Sequence, residues 1–212
     1  MNDVTLYDYF RSSAGYRVRI ALNLKRVAHE RVEVALLKGE QRAADHLTRN
    51  RQGLVPALAL SNGMVLTQSL AILDWLDSAY PEPRLFPVDP LARAQAMAQA
   101  LVIVADIHPI DNLRVLQRLE SQFGADAAQK ADWYRHWIAL GLEALEANAP
   151  AYGHFGGNAP GVVDCCLIPQ LYNARRFELD LSSWPKLVAI DARCSVLPAV
   201  ADAHPDRVAP AG

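Results

Sequence analysis

Cysteine is scarce in this sequence, with only Cys165, Cys166 and Cys194 among 212 residues. An odd number of cysteines without CxxC spacing, and without a histidine cluster beside them, argues against a disulfide framework and against a zinc site. The three thiols are therefore expected to be buried as small apolar side chains. This composition favours a reducing, cytoplasmic compartment and predicts no metal centre.

Excess charge of one sign is also lacking, since the formal net charge is −2. No stretch gathers five or six like charges, which argues against a nucleic-acid partner and against a polybasic membrane patch. No apolar run approaches the roughly 20 residues of a membrane span. The first ten residues lack the basic start and apolar run of a secretory signal. Small-molecule or protein partners fit this chain better.

What the sequence has is enough apolar material for sizeable cores, because 51% of its residues are hydrophobic and 21% are charged. A length of 212 residues suits two small cores packed together better than one ordinary core. We therefore expect a globular protein of two domains or one large domain.

The N-terminal part alternates strand and helix patterns. Val4 to Tyr9 predicts a strand, residues 11–15 a polar turn, Tyr16 to Lys25 a helix, and Glu30 to Val34 a second strand. This order is that of a βαβ unit.

A second group of elements comes after a polar stretch, residues 39–50, that we expect to be loosely structured. Two apolar runs, Ala57 to Leu60 and Met64 to Thr67, flank Asn62-Gly63, a strong hairpin signal. Ser69 is placed to cap a helix that ends near Ala79. The order βαβ then ββα predicts an α+β thioredoxin-like domain.

Proline separates this domain from the rest of the chain. Residues 80–90 contain four prolines and read as a linker, and Asp89 before Pro90 predicts a capped helix start. Helical patterns dominate the C-terminal half, at residues 129–147, at residues 162–177 and in an apolar stripe of Ala94, Met97, Leu101, Val104 and His108. We predict a thioredoxin-like domain at residues 1–80, a linker at 81–90 and an all-α domain at 91–212.

Three polar sites fall at strand ends or helix starts. The turn at residues 11–15 precedes a helix N-terminus, which favours an anion such as a thiolate, although Ser12 and Ser13 could equally act only as helix caps. Val55-Pro56 precedes a strand, where a cis proline would expose backbone for an extended peptide. Gln68-Ser69 offers donors for a carboxylate. Together they suit a small anionic thiol peptide.

These motifs extend to a family resemblance that covers nearly the whole chain. The chain resembles zeta-class glutathione transferases at residues 12–22 (SSAGYRVRIAL), 52–58 (QGLVPAL), 68–72 (QSLAI), 106–109 (DIHP) with Asn112, 168–170 (IPQ) and 173–177 (NARRF). The resemblance implies glutathione as cofactor and a homodimer. It implies isomerisation of maleylacetoacetate, or of maleylpyruvate, to the fumaryl form in aromatic-compound breakdown.

The resemblance also implies the site residues. Ser12, with Ser13 and Arg11, would be catalytic, because a hydroxyl beside the helix dipole favours the thiolate of a thiol whose free pKa is about 8.5. The implied glutathione-binding residues are Ser12, Ser13, Ala14, Gly15, Tyr16, Arg17, Gln41, Val55, Gln68, Ser69, His108, Asn112 and Arg114.

The two substrate carboxylates need cations that bind in a fork, and the arginines suggested for this are Arg11, Arg114 and Arg176. Each could equally be an ordinary surface arginine, and His108 could be a satisfied helix histidine. Pro109 is expected to kink a helix and so open a pocket.

Departures from the family pattern are few. Ala14 replaces a frequent cysteine and leaves the serine chemistry intact. Gly161 replaces a Ser/Thr helix cap, but Asp164 should still reach back to it. Arg51 replaces a more usual proline, and nothing in the sequence explains it.

Two other functions stay open. The first is conjugation or dehalogenation on the same scaffold, with glutathione consumed. The second is a non-catalytic binding module, against which the intact serines and arginines count. Between the two isomerase substrates, the first-helix motif and Asn112-Leu113-Arg114 favour maleylacetoacetate.

Overall fold

The computed structural model of the protein describes residues 4–210, which form two compact units. Residues 4–85 and 195–210 make up the first unit, and residues 86–194 make up the second. Residues 1–3 and 211–212 of the predicted domains lie outside the described residues.

The first unit contains the β-sheet. Its strands are β1 (Val4–Asp8), β2 (His29–Glu33), β3 (Ala57–Leu60) and β4 (Val65–Thr67). In chain order, the α-helices of the described residues are α1 (Ser13–Leu24), α2 (Ala44–Arg49), α3 (Ser69–Ala79), α4 (Pro90–Leu101), α5 (Leu113–Phe123), α6 (Ala127–Asn148), α7 (Val162–Arg176), α8 (Pro185–Ser195), α9 (Pro198–Ala201) and α10 (Pro205–Val208). None of the helices within residues 4–210 is long and apolar enough to cross a membrane.

The sheet has the strand order β2-β1-β3-β4. β1 runs parallel to β2 and antiparallel to β3, and β4 is antiparallel to β3. Alternate β1 residues are buried, and Leu6 lies opposite Leu58 in the register with β3. Because α1 and α3 pack on one another, their apolar faces bury Ile20, Ile72 and Leu76 completely. This confirms the predicted thioredoxin-like fold followed by helices.

The hairpin between β3 and β4 forms at the predicted residues. Ala59 lies opposite Val65, and the Asn62 side-chain oxygen accepts from the Met64 N–H at 3.0 Å. Gly63 has a φ of 85°, which glycine adopts without a steric penalty.

Two helices begin at positions that differ from the sequence-based prediction. α1 begins at Ser13 rather than Tyr16, because Ser12 already caps it. α3 begins at Ser69, so Ser69 is the first helical residue and Gln68 takes the capping position. In both cases the polar residues predicted to precede the helix belong to its first turn.

The polar stretch at residues 39–50, predicted to be loose, is ordered. It continues from a 3₁₀ turn at Leu36–Lys38 into another at Glu40–Arg42 and then α2. His46 is buried, and its Nε2 lies 2.9 Å from the Leu54 carbonyl oxygen. The sequence does not reveal α2 because its buried residue, His46, and the buried residue that ends it, Asn50, are both polar. The apolar periodicity typical of a helix is therefore missing.

The last described residues of the chain group with the sheet rather than with the helical domain predicted for residues 91–212. Side chains of the first unit bond to their backbone: Arg19 Nε donates to the Ala203 carbonyl at 3.0 Å, and Arg31 Nη1 donates to the Val208 carbonyl at 2.9 Å. These bonds satisfy guanidinium groups that are largely shielded from water, which explains the grouping.

The first helix of the second unit, α4, begins at the predicted residue. The Asp89 side chain caps it by accepting from the Ala92 N–H at 2.8 Å, and Pro90 is the first helical residue. A π-helical segment, Val102–Ile107, continues α4. Its buried face differs from the predicted stripe, since Leu101 is 39% exposed. The fully or almost fully buried residues on this face are Ala100, Ile103 and Ile107.

Close approach of α6 to the π-helical segment depends on Gly141. A Cβ atom added at Gly141 would lie 2.2 Å from Ile107 Cδ1, so any larger residue there would force the Ile107 side chain to move. The helix ends before Pro109, so Pro109 does not kink it as expected, whereas Pro169 lies inside α7.

Asp164 in α7 organises the glycine-containing loop before that helix. Its carboxylate accepts from the N–H groups of Phe155 at 3.0 Å, Gly156 at 3.0 Å and Gly161 at 2.8 Å. The expected reach back to Gly161 is confirmed. The three cysteines are buried, as expected.

Replacing Asp164 with alanine should lower the free energy of unfolding by about 3 kcal/mol, because three N–H groups, of which that of Gly161 is buried, lose their acceptor. Asp164→Asn, which keeps one carbonyl oxygen, should cost less. Urea unfolding of the two variants and the wild type measures both losses, and equal losses would show that the N–H contacts do not carry the effect.

Candidate active site

Ser12 lies where the chain passes from β1 into α1. Its Oγ accepts from the Gly15 N–H at 3.1 Å, its N–H donates to the Tyr9 carbonyl at 2.8 Å, and its carbonyl accepts from the Tyr16 N–H at 2.8 Å. Ser12 is therefore a helix cap, one of its two predicted roles. A hydroxyl has one hydrogen and two lone pairs, so the cap bond leaves its O–H able to donate. Capping and anion binding are thus compatible.

The residues after Ser12 form the buried first turns of α1. Ser13, Ala14, Gly15, Tyr16 and Arg17 are all buried. The N–H groups of Gly15 and Tyr16 already donate to Ser12, so the contribution of this segment to a ligand would come from the partial positive charge at the helix start. Arg11, by contrast, is exposed, with its guanidinium carbon 5.0 Å from the Phe10 ring centre.

Arg17 links the starts of two helices. Its Nη1 donates to Ser69 Oγ at 3.2 Å, and both residues are buried. The structure thus brings Ser69, predicted to bind a carboxylate, onto the same helix pair as Ser12. Arg17 itself is fully buried, so its bond to the Ser69 hydroxyl is shielded from water.

Gln68 has a backbone conformation that its sequence does not reveal. Its φ of 67° and ψ of 110° are rarely adopted by a residue other than glycine, and such strain is concentrated at functional sites. The side chain is exposed, and its Nε2 donates to Gln52 Oε1 at 2.9 Å. The Gln68 carbonyl accepts from the Ile72 N–H at 3.0 Å, so this unusual conformation stands directly at the start of α3.

The bond between Val55 and Pro56 is cis, as expected. Val55 lies just before β3, and within residues 4–210 no backbone hydrogen bond of Val55 is found. Its N–H and carbonyl are therefore available to an extended peptide, which would pair with them as a strand does.

Gln41 lies in the 3₁₀ turn next to this loop. A Cβ atom at Gly53 would lie 3.2 Å from the Gln41 carbonyl oxygen, which shows how closely the two segments approach. In the described part of the chain the Gln41 side-chain oxygen is buried without a hydrogen-bond partner. An unpartnered buried acceptor is uncommon and suits a ligand donor.

A buried ionic network that the sequence analysis missed lies beneath the Ser12 turn. Asp8 at the end of β1 is fully buried; its Oδ2 accepts from Arg19 and its Oδ1 accepts from Arg31 Nε at 2.7 Å. Arg31 also pairs with Glu33. Burial lowers the pKa of Arg19, although Asp8 opposes this, and burial raises the pKa of Glu33 against the effect of Arg31.

The predicted site residues of the second unit lie after the π-helical segment, at the start of α5 and at the end of α7. His108 comes directly after the π-helical segment, and its N–H donates to the Ile103 carbonyl at 2.9 Å. Asn112 caps α5 by accepting from the Arg114 N–H at 3.2 Å, so it has a structural role whatever else it binds. Arg114 is exposed, and Arg176, also exposed, ends α7.

Asp111 adjoins these candidates and had no signal in the sequence. It is 4% exposed, and among residues 4–210 neither carboxyl oxygen has a hydrogen-bond partner. Burial raises the pKa of Asp111 to about 8. The carboxyl group is therefore largely protonated at neutral pH. Across the described ranges, no cluster of acidic, histidine or cysteine side chains could hold a metal ion.

Known proteins resemble this chain in both sequence and structure. The family model for the glutathione S-transferase N-terminal domain matches residues 6–84. A protein of Vibrio cholerae named probable maleylacetoacetate isomerase is 47% identical over 97% of each chain. A solved structure described as a holo maleylpyruvate isomerase, a bacterial zeta-class glutathione transferase, has a TM-score of 0.94 at 40% identity and spans 98% of this chain and 100% of its own.

The chain belongs to the zeta class of the glutathione S-transferase family. Another structure, a maleylacetoacetate isomerase of Anaeromyxobacter dehalogenans, has a TM-score of 0.88 at 40% identity and covers 99% of this chain and 94% of its own. It holds dicarboxyethyl glutathione and citrate in its active site. In this zeta-class chain, Ser12, Val55, Gln68 and Ser69 all lie in the first unit.

The buried carboxyl of Asp111 gives the protein a pH-dependent stability. The unfolded chain has a carboxyl pKa near 3.8 and the folded chain one near 8, so the folded state holds the proton more tightly between these values. Wild-type stability should therefore fall as the pH rises through this window. Asp111→Asn removes that dependence, so from pH 5 to pH 8 the free energy of unfolding of the variant should rise relative to that of wild type by about 3–4 kcal/mol.

Thermal unfolding at the two pH values measures the effect. Asp106→Asn is the control, because Asp106 lies five residues earlier, in the π-helical segment, and is exposed. If Asp111→Asn and wild type kept a constant difference in melting temperature from low to high pH, Asp111 would be ionised in the folded protein.

Proposed function

We propose that the protein is a glutathione-dependent cis–trans isomerase that converts a maleyl keto acid to its fumaryl form, with maleylacetoacetate favoured over maleylpyruvate. The observation that carries the proposal is the Ser12 hydroxyl at the start of α1, whose oxygen caps the helix while its hydrogen remains available. A hydroxyl donor and a helix N-terminus at one point favour a thiolate.

The first unit fits glutathione along its length. Val55 offers an unpaired peptide group for the cysteinyl unit, and Gln68 and Ser69 offer donors at the start of α3 for the γ-glutamyl carboxylate. Arg17 would hold the Ser69 hydroxyl through its hydrogen bond rather than contact the ligand. Gln41 would accept a hydrogen bond from the ligand with its buried amide oxygen. We propose His108, Asn112 and Arg114 as further glutathione-binding residues, as the family resemblance implies.

When bound, glutathione supplies the thiolate that adds reversibly to the conjugated double bond, which can then rotate as a single bond. The chain's own contribution begins with the pKa of that thiol. A reduction of about 2 units from the free value near 8.5 makes most of the thiol ionised at neutral pH. Ser12 supplies a hydrogen bond to the anion, and the α1 N–H groups from Ser13 onward supply a partial positive charge.

The substrate carries two carboxylates, for which the exposed guanidinium groups of Arg11, Arg114 and Arg176 are suitable partners. An arginine keeps its charge at any physiological pH and binds a carboxylate with two parallel N–H bonds. We propose that these side chains orient the substrate and stabilise charge that moves onto its keto oxygen.

A homodimer in the cytoplasm is also proposed. Leu91 and Leu101 are exposed on α4, and in the first unit Met64 is exposed at the β3-β4 hairpin. Apolar side chains of this size at the surface are the kind that an interface covers. Three buried cysteines that form no disulfide with one another within residues 4–210 fit a reducing compartment.

Conjugation is the second candidate, and one observation favours it. The relative from Anaeromyxobacter holds a glutathione that carries a dicarboxyethyl group, which is a thioether adduct rather than free glutathione. On the same site, addition without elimination would consume the thiol.

An assay of both maleyl keto acids, with and without catalytic amounts of glutathione, separates these functions. Isomerase activity predicts loss of the maleyl absorbance while total free thiol stays constant. Stoichiometric loss of thiol would indicate conjugation, and absence of turnover together with glutathione binding would indicate a binding module.

Ser12→Ala should lower kcat/KM about 100-fold at neutral pH, because the bound thiol loses its hydrogen-bond donor. Alanine also removes the helix cap, at a cost of about 1 kcal/mol, so Ser12→Gly serves as the matched variant, since glycine caps with a loss of only a few tenths of a kcal/mol. Equal activity losses in the two variants, with a smaller loss of stability for glycine, support a chemical role. Retained activity in either variant would contradict it.

A further inference from the structure

The backbone that leads into Ser12 is fixed at Phe10 by two side chains. The Phe10 carbonyl accepts from Arg19 Nη2 at 3.0 Å, and the Phe10 N–H donates to Glu33 Oε1 at 3.3 Å. Ser12 then donates to the Tyr9 carbonyl at 2.8 Å. The carbonyl of Phe10 is thus held by a side chain of α1, and its N–H is held by a side chain of β2.

Arg19 bonds in three directions at once. Its Nε donates to the Ala203 carbonyl at 3.0 Å, its Nη1 donates to Asp8, and its Nη2 donates to Phe10. Arg19 is 2% exposed and Asp8 is 0% exposed, so water does not compete for these bonds. Because the guanidinium is planar and rigid, fixing two of its nitrogens also fixes the direction of the third.

We propose that Arg19 and Glu33 are positioning residues, which act through Phe10 to place the Ser12 hydroxyl and the start of α1 against the glutathione thiol. This inference rests on the proposed function and deepens it. A hydrogen bond to a thiolate weakens steeply with distance and angle, and a shift of about 1 Å in a reacting group can cost 100-fold in rate. In this role each side chain acts on Ser12 only through its bond to Phe10.

A purely structural role for this network is the competing explanation, and α1 offers a matched control for it. Lys25 at the other end of the helix donates to Asp77 Oδ1 at 2.6 Å and to the Tyr80 carbonyl at 2.7 Å. Both charged residues of this pair are buried. Removing the Lys25–Asp77 ion pair should destabilise the same unit but leave the hydrogen bonds of the loop at residues 9–12 in place.

The test variants are Arg19→Lys, which keeps the charge beside Asp8 but loses the fork, and Glu33→Ala, which frees the Phe10 N–H. Lys25→Gln is the control. For each full-length protein, we would measure the melting temperature, the exchange of the Phe10 and Ser12 amide hydrogens without glutathione, and the pH titration of the bound thiol by its ultraviolet absorption.

We expect Arg19→Lys to raise the pKa of bound glutathione by about one unit, and so to lower kcat about tenfold below that pKa with little change in KM for glutathione. Glu33→Ala should act in the same direction, about threefold, and both variants should exchange the two loop amides faster. Lys25→Gln should lower the melting temperature and leave the thiol titration and loop exchange as in wild type.

An unchanged thiol titration in Arg19→Lys and Glu33→Ala would overturn the proposal, and so would an equal shift in Lys25→Gln. Should Arg19→Lys fail to fold, Glu33→Ala decides, because Glu33 is partly exposed and less central to the core. If the wild type neither binds glutathione nor isomerises, the proposed function fails instead. The amide exchange then still decides whether the two side chains hold Phe10.

Discussion

The architecture of the first unit depends on one buried carboxylate. Asp8 ends the central strand β1 with no exposure to water and carries a guanidinium on each of its oxygens, Arg19 from α1 and Arg31 from β2. Removal of one partner from such a buried group typically costs about 3–5 kcal/mol, since a charge is left uncompensated. Gly15 belongs to the same contact: a Cβ atom there would lie 2.7 Å from Asp8 Oδ2. Strand, helix and second strand thus meet at a single side chain.

Ser12 shows how a residue serves folding and chemistry together. Its oxygen lone pairs satisfy a helix N–H, which any good cap does, while its single hydrogen remains for another partner. Asn112 repeats the pattern at α5, where the amide oxygen caps the helix and the amide N–H₂ is left over. In both places a structural role and a binding role use different atoms of one side chain, so evidence for the first is no argument against the second.

Most of the fold was predictable from the sequence, because its strands, hairpin and helices follow local patterns of apolar and turn residues. The Val55-Pro56 cis bond and the Asp89 cap were predictable for the same reason. The positive φ of Gln68 was not, since no residue type signals it. Arg19 was unpredictable as a network member because no local pattern marks its bonds to Asp8 and Phe10, and its third acceptor, Ala203, lies 184 residues away in the chain. Asp111 was missed because a lone carboxyl gives no pattern, and only burial makes it unusual.

The return of residues 195–210 to the sheet has a consequence for biosynthesis. The acceptors for Arg19 and Arg31 at Ala203 and Val208 lie 184 and 177 residues away along the chain. Such long-range contacts form late, and a chain made from its N-terminus acquires them only after the whole second unit has been synthesised. During that interval the thioredoxin-like unit holds two arginines that lack their final partners. Its maturation therefore waits for residues beyond Cys194 rather than for its own first segment to end at Leu85.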